Sequence, residues 1–151
     1  MSLRLAAYAV CLADDRVLLA QTSTGDWTLP GGGVDQSEDP FDAVIREVGE
    51  ETGCTAEVIR LLGVDSRVIP AAESRAGVEH HNVGIFYRVR ITGGELRPEP
   101  NGDTIASVWT PVGEVAALRR SGLVDVGLAL ARTEPATGHV PPIPVGGLVQ
   151  H

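Results

Sequence analysis

Residues 39–53, DPFDAVIREVGEETG, constrain the fold more than any other stretch of the chain. Asp39 suits a helix N-cap, Pro40 the first helical position, and Asp42 places negative charge near the positive end of the helix dipole. Gly53 stands where a left-handed C-terminal cap belongs. Between these limits Phe41, Val44, Ile45 and Val48 recur at i, i+3, i+4 and i+7, a core stripe that another element must cover. Roughly 120° round the helix, Glu47, Glu50 and Glu51 form a second stripe. It lies near the C-terminal end, where the dipole disfavours anions, and each like-charge pair costs roughly 0.2–0.5 kcal/mol. Gly49 in the same helix costs about 1 kcal/mol relative to Ala. Local rules broken this often mark a place where function overrides stability. Three convergent carboxylates are a ligand set for a hard divalent cation, Mg2+ or Mn2+, whose charge turns repulsion into coordination.

The flanking sequence predicts a mixed sheet around this helix. Residues 3–12 and 16–21 are apolar and β-compatible, separated by Ala13-Asp14-Asp15, and read as a hairpin. Trp27-Thr28-Leu29 is a short extended piece running into the turn Pro30-Gly31-Gly32-Gly33. Residues 56–62, 64–69, 82–92 and 104–110 read as strands, with loops at 70–80 and 93–103. Residues 112–119 and 121–132 read as helices. Strands, one helix, strands and then helices describe an α+β domain over residues 1–132. Residues 133–151, with Pro135, Pro141, Pro142 and Pro144, read as an extended tail that packs on a partner or moves freely.

Composition narrows the function. A net charge of −8, with no lysine among the 12 basic residues, argues against a nucleic-acid duplex, whose binding rests on cations that neutralise phosphates. A small anionic ligand is compatible if a positive intermediary accompanies it. No apolar run approaches the ~20 residues of a membrane span, and the apolar N-terminus, closed by Asp14-Asp15, reads as a core strand. Cys11 and Cys54 sit among apolar neighbours without metal-ligand spacing, as buried thiols do; a reducing cytoplasm fits them.

From Gly32 the chain gives five residues, Glu38, seven residues, then Arg46-Glu47-Val48-Gly49-Glu50-Glu51-Thr52-Gly53-Cys54. This resembles the Nudix box, G-x5-E-x7-R-E-U-x-E-E-x-G-U, with U a bulky apolar residue. Seven fixed letters at residue frequencies near 5% match by chance in roughly one window per billion, so the motif is specific. Cys54 departs mildly from the usual Ile, Leu or Val and serves as a small hydrophobe. The WTLPGGGV lead-in and the later strand ending Trp109-Thr110-Pro111 are similar to the family as well, so the resemblance spans about residues 3–132.

The resemblance implies an α/β/α sandwich with a mixed sheet and the box as a loop–helix–loop. It implies a pyrophosphohydrolase that attacks, with water, a phosphorus of a nucleoside diphosphate linked to a group X. Candidate substrates are nucleoside triphosphates, oxidised nucleotides and ADP-ribose-like sugar nucleotides. Carried over by position, Glu47, Glu50 and Glu51 are metal ligands, and the Gly32 carbonyl completes the shell. Arg46 orients a box glutamate, while Glu38 and Gly53 hold the loop geometry. Glu47 or Glu50 takes the water's proton, or a loop acid does so, Glu99 or Asp103; those two read equally well as plain loop acids. A homodimer is common in the family. The competing class is a non-catalytic nucleotide-binding Nudix module, which usually lacks box glutamates; an isoprenyl diphosphate isomerase would need a catalytic cysteine that neither Cys11 nor Cys54 is placed to supply.

Other residues keep two readings. The Pro30–Gly33 run permits close approach to a phosphate, or forms a turn with unusual dihedrals. Trp27 packs in the core or stacks on a base. His80 and His81 face opposite ways on a strand and share no metal. Arg67, Arg75 and Arg88 contact phosphate or ribose, or are solvated.

Overall fold

The computed structural model of the protein describes residues 2–74 and 76–144. Its elements are β1 (Ser2–Val10), β2 (Leu12–Ala13), β3 (Arg16–Thr22), β4 (Trp27–Thr28), β5 (Gly31–Gly33), α1 (Pro40–Thr52), β6 (Cys54–Ile69), β7 (His80–Gly94), β8 (Thr104–Pro111) and α2 (Gly122–Thr133). Short 3-10 turns cover Ala71–Glu73 and Val112–Ala117, the latter replacing the regular helix expected at 112–119.

Two sheets share the strands. The larger runs β5-β1-β7-β6, with β1 parallel to β7 and the other pairs antiparallel. The smaller is β2-β3-β4, with β8 paired along β3. The C-terminal half of β1 is buried on both faces, which explains its unbroken apolar run. Ala6, Tyr8 and Val10 pack toward Val124, Val126 and Leu130 of α2, while Ala7, Ala9 and Cys11 pack toward Ala43, Val44 and Val48 of α1. Helices on opposite faces of a mixed sheet make the α/β/α sandwich that the box implied.

The hairpin expected from residues 3–12 and 16–21 is confined to its tip. Asp14 and Asp15, both at positive φ (51° and 60°), turn the chain between Ala13 and Arg16. Both edges of β1 are already taken, by β5 and β7, so β3 joins the other sheet and the chain changes sheets at Cys11. The strands expected at 56–62 and 64–69 are one strand, β6, with irregular pairing near Gly63. A Cβ at Gly63 would lie 2.1 Å from the Gly138 carbonyl oxygen, which instead accepts a hydrogen bond from the Val64 N–H.

The described part of the tail therefore lies against the sheet rather than standing free. Val140 is buried, and Arg67 pairs with Asp65 and donates to the Ile143 carbonyl. Arg67 is thus a packed structural residue, not a solvated one. Arg75 and residues 145–151 lie outside the described residues. His80 is buried, with its Nδ1 2.6 Å from Ser2 Oγ, and His81 faces away with its Nε2 2.6 Å from Ser66 Oγ. Among the described residues no helix is long and apolar enough to cross a membrane.

Candidate active site

The helix signals act as read. The Asp39 side chain accepts the Phe41 N–H at 2.8 Å, Pro40 opens α1, and Gly53 closes it at φ 83° with its N–H on the Gly49 carbonyl. Val44 and Val48 are fully buried, but Phe41 stands at the rim, 45% exposed and edge-on to Tyr87. Thr52, buried, donates to the Val48 carbonyl at 2.7 Å and accepts the Cys54 N–H at 3.2 Å, which turns the chain directly from α1 into β6.

α1 therefore presents its glutamate stripe to the β5 edge of the larger sheet. Glu51 accepts the Gly31 N–H at 3.0 Å. The Glu47 carboxyl lies flat over Gly32, so close that a Cβ there would be 2.9 Å from it. Gly31 itself has φ 144°, and a Cβ would meet the Ala7 carbonyl oxygen at 2.2 Å. The glycine run is needed for dihedral angle at one position and for room at the next.

Glu47 and Glu51 both line the cleft, and each carboxyl acts on the titration of the other. Burial pushes Glu51 well above the usual carboxylate range; the Gly31 N–H opposes this, and the charges of Glu47 and Glu99 add to it. Glu47 is also raised, first by burial, while the Arg46 charge pulls it back. Glu50 does not join them. It is half exposed and accepts both its contacts, at 3.2 and 3.3 Å, from Arg46 Nη1. Among the described residues no three His, Cys, Asp or Glu side chains gather at metal-binding spacing. The structure thus brings two of the three expected ligands together and leaves the third on its counter-charge.

Arg46 is the clasp between helix and loop. Its Nε and Nη2 donate to the two Glu38 oxygens at 2.8 Å each, Nη2 also reaches the Gly33 carbonyl at 3.1 Å, and Nη1 reaches Glu47 at 3.1 Å. Glu38 in turn accepts the Asp35 N–H at 3.0 Å. These bonds raise the Arg46 pKa further and hold the Glu38 carboxyl down at about 2. Arg46 and Glu38 thus tie the 33–38 loop to α1 beside Glu47.

Two contributors escaped the sequence reading. Arg97 donates to the Gly49 carbonyl at 3.1 Å and the Glu50 carbonyl at 2.9 Å, supplying a cation at the acidic C-terminal end of α1. Nothing in its local sequence signals this. Arg4 lines the cleft beside the carboxyl pair, and the signal was its place between Leu3 and Leu5, a charge alternating with apolar residues on one strand.

The cleft has a volume of about 260 Å³. Glu47 and Glu51 line one part, and Glu99 and Asp103 extend the acidic wall. Glu99 accepts the Thr104 N–H at 3.3 Å, and Asp103 accepts the Ser23 hydroxyl at 2.5 Å. Trp27, Leu29 and Leu123 give it an apolar side. Trp27 packs partly against the core and also lines the cleft. Arg88, on β7, does not line it.

With this geometry in view, the chain can be set beside known proteins. The family model for the NUDIX domain matches residues 2–126, and the chain belongs to the Nudix hydrolase family. It is 37% identical over 87 residues to an 8-oxo-(d)GTP phosphatase of Mycolicibacterium smegmatis, a match over 58% of this chain and 24% of that protein. It is 36% identical over 88 residues to an ADP-ribose pyrophosphatase of Methanocaldococcus jannaschii, over 56% of this chain and 48% of that one. The chain thus spans about a quarter to a half of these relatives. A MutT NUDIX hydrolase from Burkholderia pseudomallei superimposes with a TM-score of 0.63 at 30% identity, covering 74% of this chain and 84% of that one.

Proposed function

We propose that this protein hydrolyses the phosphoanhydride of a nucleoside diphosphate linked to a further group, with Mg2+ or Mn2+ as cofactor. The observation that carries the reading is the desolvated Glu47–Glu51 carboxyl pair, seated on the Gly31–Gly32 backbone in the cleft. Two acids buried side by side are stabilised by a shared proton or by a cation, and all-oxygen donors of this kind suit a hard one. Glu47, Glu51 and Glu50, with the Gly32 carbonyl, are the residues that would hold it. Bound there, the ion would supply charge neutralisation for phosphate oxygens and an acidified water.

The chain's own groups do the rest. Arg46 fixes Glu47 and the 33–38 loop, so the carboxyl pair keeps its position as charge develops. A carboxylate must take the proton of the attacking water. Glu99 and Asp103 each accept one hydrogen bond, from the Thr104 N–H and the Ser23 hydroxyl respectively. Glu99 is preferred for this step because it is near enough for its charge to act on Glu51. The apolar side formed by Trp27, Leu29 and Leu123 suits a planar base. Substrates of both named relatives contain a nucleotide anhydride, which supports this class without choosing between an oxidised triphosphate and a sugar nucleotide.

The test is product analysis by mass over nucleoside triphosphates, 8-oxo nucleotides, dinucleoside polyphosphates and ADP-ribose, with and without Mg2+, beside Glu51→Gln. Metal-dependent cleavage of one class, lost in Glu51→Gln while its melting temperature holds or rises, supports the reading. Full activity in that variant would sink the ligand assignment, and binding without turnover in the wild type would make the chain a nucleotide-binding module.

A further inference from the structure

The walls of the cleft are unevenly charged. Asp26, Glu47, Glu51, Glu99 and Asp103 are acids, and among the described lining residues Arg4 is the one Lys or Arg. Arg4 also stands at a definite place. β4 and β5 follow each other in the chain, so the wall they build has an order. Trp27 and Leu29 come first and are apolar; Gly31 and Gly32 come next, met by Glu51 and Glu47; Gly33 comes last. Gly33 pairs with Ala6 of β1, and a Cβ on Gly33 would stand 4.0 Å from Arg4 Nε. The cleft therefore runs from an apolar end, past the carboxyl pair, to a basic end. Arg4 sits there on a packed wall. Its Nε is shielded from solvent, and in register it lies beside Asn82, 1% exposed, which donates to the Tyr8 hydroxyl at 3.3 Å. Tyr8 lines the cleft as well; burial raises its pKa, and the Arg4 charge is close enough to oppose that.

We infer that Arg4 is a specificity-determining residue of the cleft, gripping a free phosphate on the far group of the substrate and so selecting a nucleoside triphosphate over a sugar nucleotide. The inference rests on the hydrolase reading, which seats the anhydride and its cation at Glu47 and Glu51. With the anhydride there and a planar base against Trp27 and Leu29, the group beyond the anhydride reaches the Gly33 end, where Arg4 waits. A terminal phosphate brings charge and acceptor oxygens that a guanidinium pairs with through two parallel hydrogen bonds. A neutral sugar at the same place leaves the partly buried guanidinium without a counter-charge, so the wrong substrate is penalised as well as the right one favoured. The surrounding acids sharpen the choice. Phosphate oxygens that the metal does not cover face a negative cleft, in which Arg4 is the one positive side chain among the described lining residues.

Calorimetric titration of the full chain with inorganic tripolyphosphate in Mg2+ tests the grip without a base and without turnover. The variants are Arg4→Met, which keeps much of the side-chain length, and Arg4→Lys, which keeps the charge, each checked for a folded circular-dichroism spectrum. The expected result is binding at least about 10-fold weaker in Arg4→Met and partly recovered in Arg4→Lys. Should Arg4→Met not fold, Arg4→Lys decides alone, because losing the two-point grip should still weaken binding about 3-fold or more. A side chain that merely braced β1 would shift the melting temperature and leave tripolyphosphate binding as it was. Equal binding in the wild type and the folded variants, or none in the wild type, overturns the inference. The second readout is kcat/KM for ATP against ADP-ribose and for GTP against GDP-mannose, pairs that share a nucleoside and differ in the far group. The wild type should favour the triphosphate, and Arg4→Met should lower that preference at least about 10-fold, mainly through KM. A wild type that favours the sugar nucleotide, or a variant with unchanged preference, overturns the inference too. Turnover of none of the four, with tripolyphosphate binding still dependent on Arg4, would count against the hydrolase reading and leave the phosphate grip standing.

Discussion

Three adjacent glycines, Gly31, Gly32 and Gly33, look interchangeable in sequence, yet substituting each with Ala should give three different outcomes. At Gly31 the added Cβ would sit 2.2 Å from the Ala7 carbonyl oxygen and 2.7 Å from Tyr8 Cα, at φ 144°. A carbon normally stands about 3.3 Å or more from such an oxygen, so β5 must move by roughly 1 Å. The movement loosens the Ala9 N–H bond to the Pro30 carbonyl and the Gly31 N–H bond to Glu51. Strain of about 1–3 kcal/mol and two weakened bonds at about 1 kcal/mol each give a loss of roughly 3–5 kcal/mol. That is a large share of the ~5–15 kcal/mol typical of a folded domain. At Gly32 the obstacle is the Glu47 carboxyl at 2.9 Å, a side-chain end that can swing away. Stability should change by about 1 kcal/mol or less, while turnover falls on the order of 10²-fold with Glu47 displaced. At Gly33 the nearest atom is Arg4 Nε at 4.0 Å, and neither quantity should change much, with up to ~1 kcal/mol gained from a stiffer unfolded chain. Urea denaturation and turnover, measured on all three variants, separate these outcomes. A Gly31→Ala protein within about 1 kcal/mol of wild type, or a Gly33→Ala protein as damaged as Gly31→Ala, would refute the account of the turn.

Three more outcomes are expected. Arg46→Ala removes the clasp and should lower turnover on the order of 10²-fold, with the variant still folded by circular dichroism; unchanged turnover would mean that loop 33–38 holds its position unaided. The Glu38 carboxyl titrates at about 2 instead of the usual 4.5 because of its bonds to Arg46. Its contribution is therefore complete above about pH 4.5 and lost as pH falls through 2, so Glu38→Gln should flatten the pH dependence of the urea midpoint in that window, and an unaltered slope would contradict the linkage. Cys11 is 1% exposed with its thiol pushed up to about 12 by burial, and Cys54 is 5% exposed, so iodoacetamide should label neither in the native chain and both after unfolding.

α1 was legible in the sequence because everything that defines it is local: a cap at each end and two stripes of fixed period. The partition into two sheets was not, because it depends on which edge of β1 is occupied, and β5 and β7 come from distant parts of the chain. Gly63 divided β6 in two on paper for a related reason. The glycine answers to Gly138 in the tail, a contact that no window around residue 63 contains. At the site, the box named Glu47 and Glu51 correctly as neighbours but carried no information on side-chain direction, so the engagement of Glu50 by Arg46 needed coordinates. Arg97 was invisible because its partners are backbone carbonyls, which leave no trace in residue type.

The bonds from Arg97 have a bearing on redesign of the protein. Arg97 and Glu99 belong to one short connection between β7 and β8, so the segment that reaches the cleft also terminates the box helix. Grafting that segment from a relative with another specificity would exchange a helix cap along with a cleft wall. A chimera that drops the arginine should misplace Glu50 and Glu51 even if every substrate-facing residue has been transplanted faithfully. Within such a library, keeping an arginine at position 97 becomes the condition under which the neighbouring positions are free to vary.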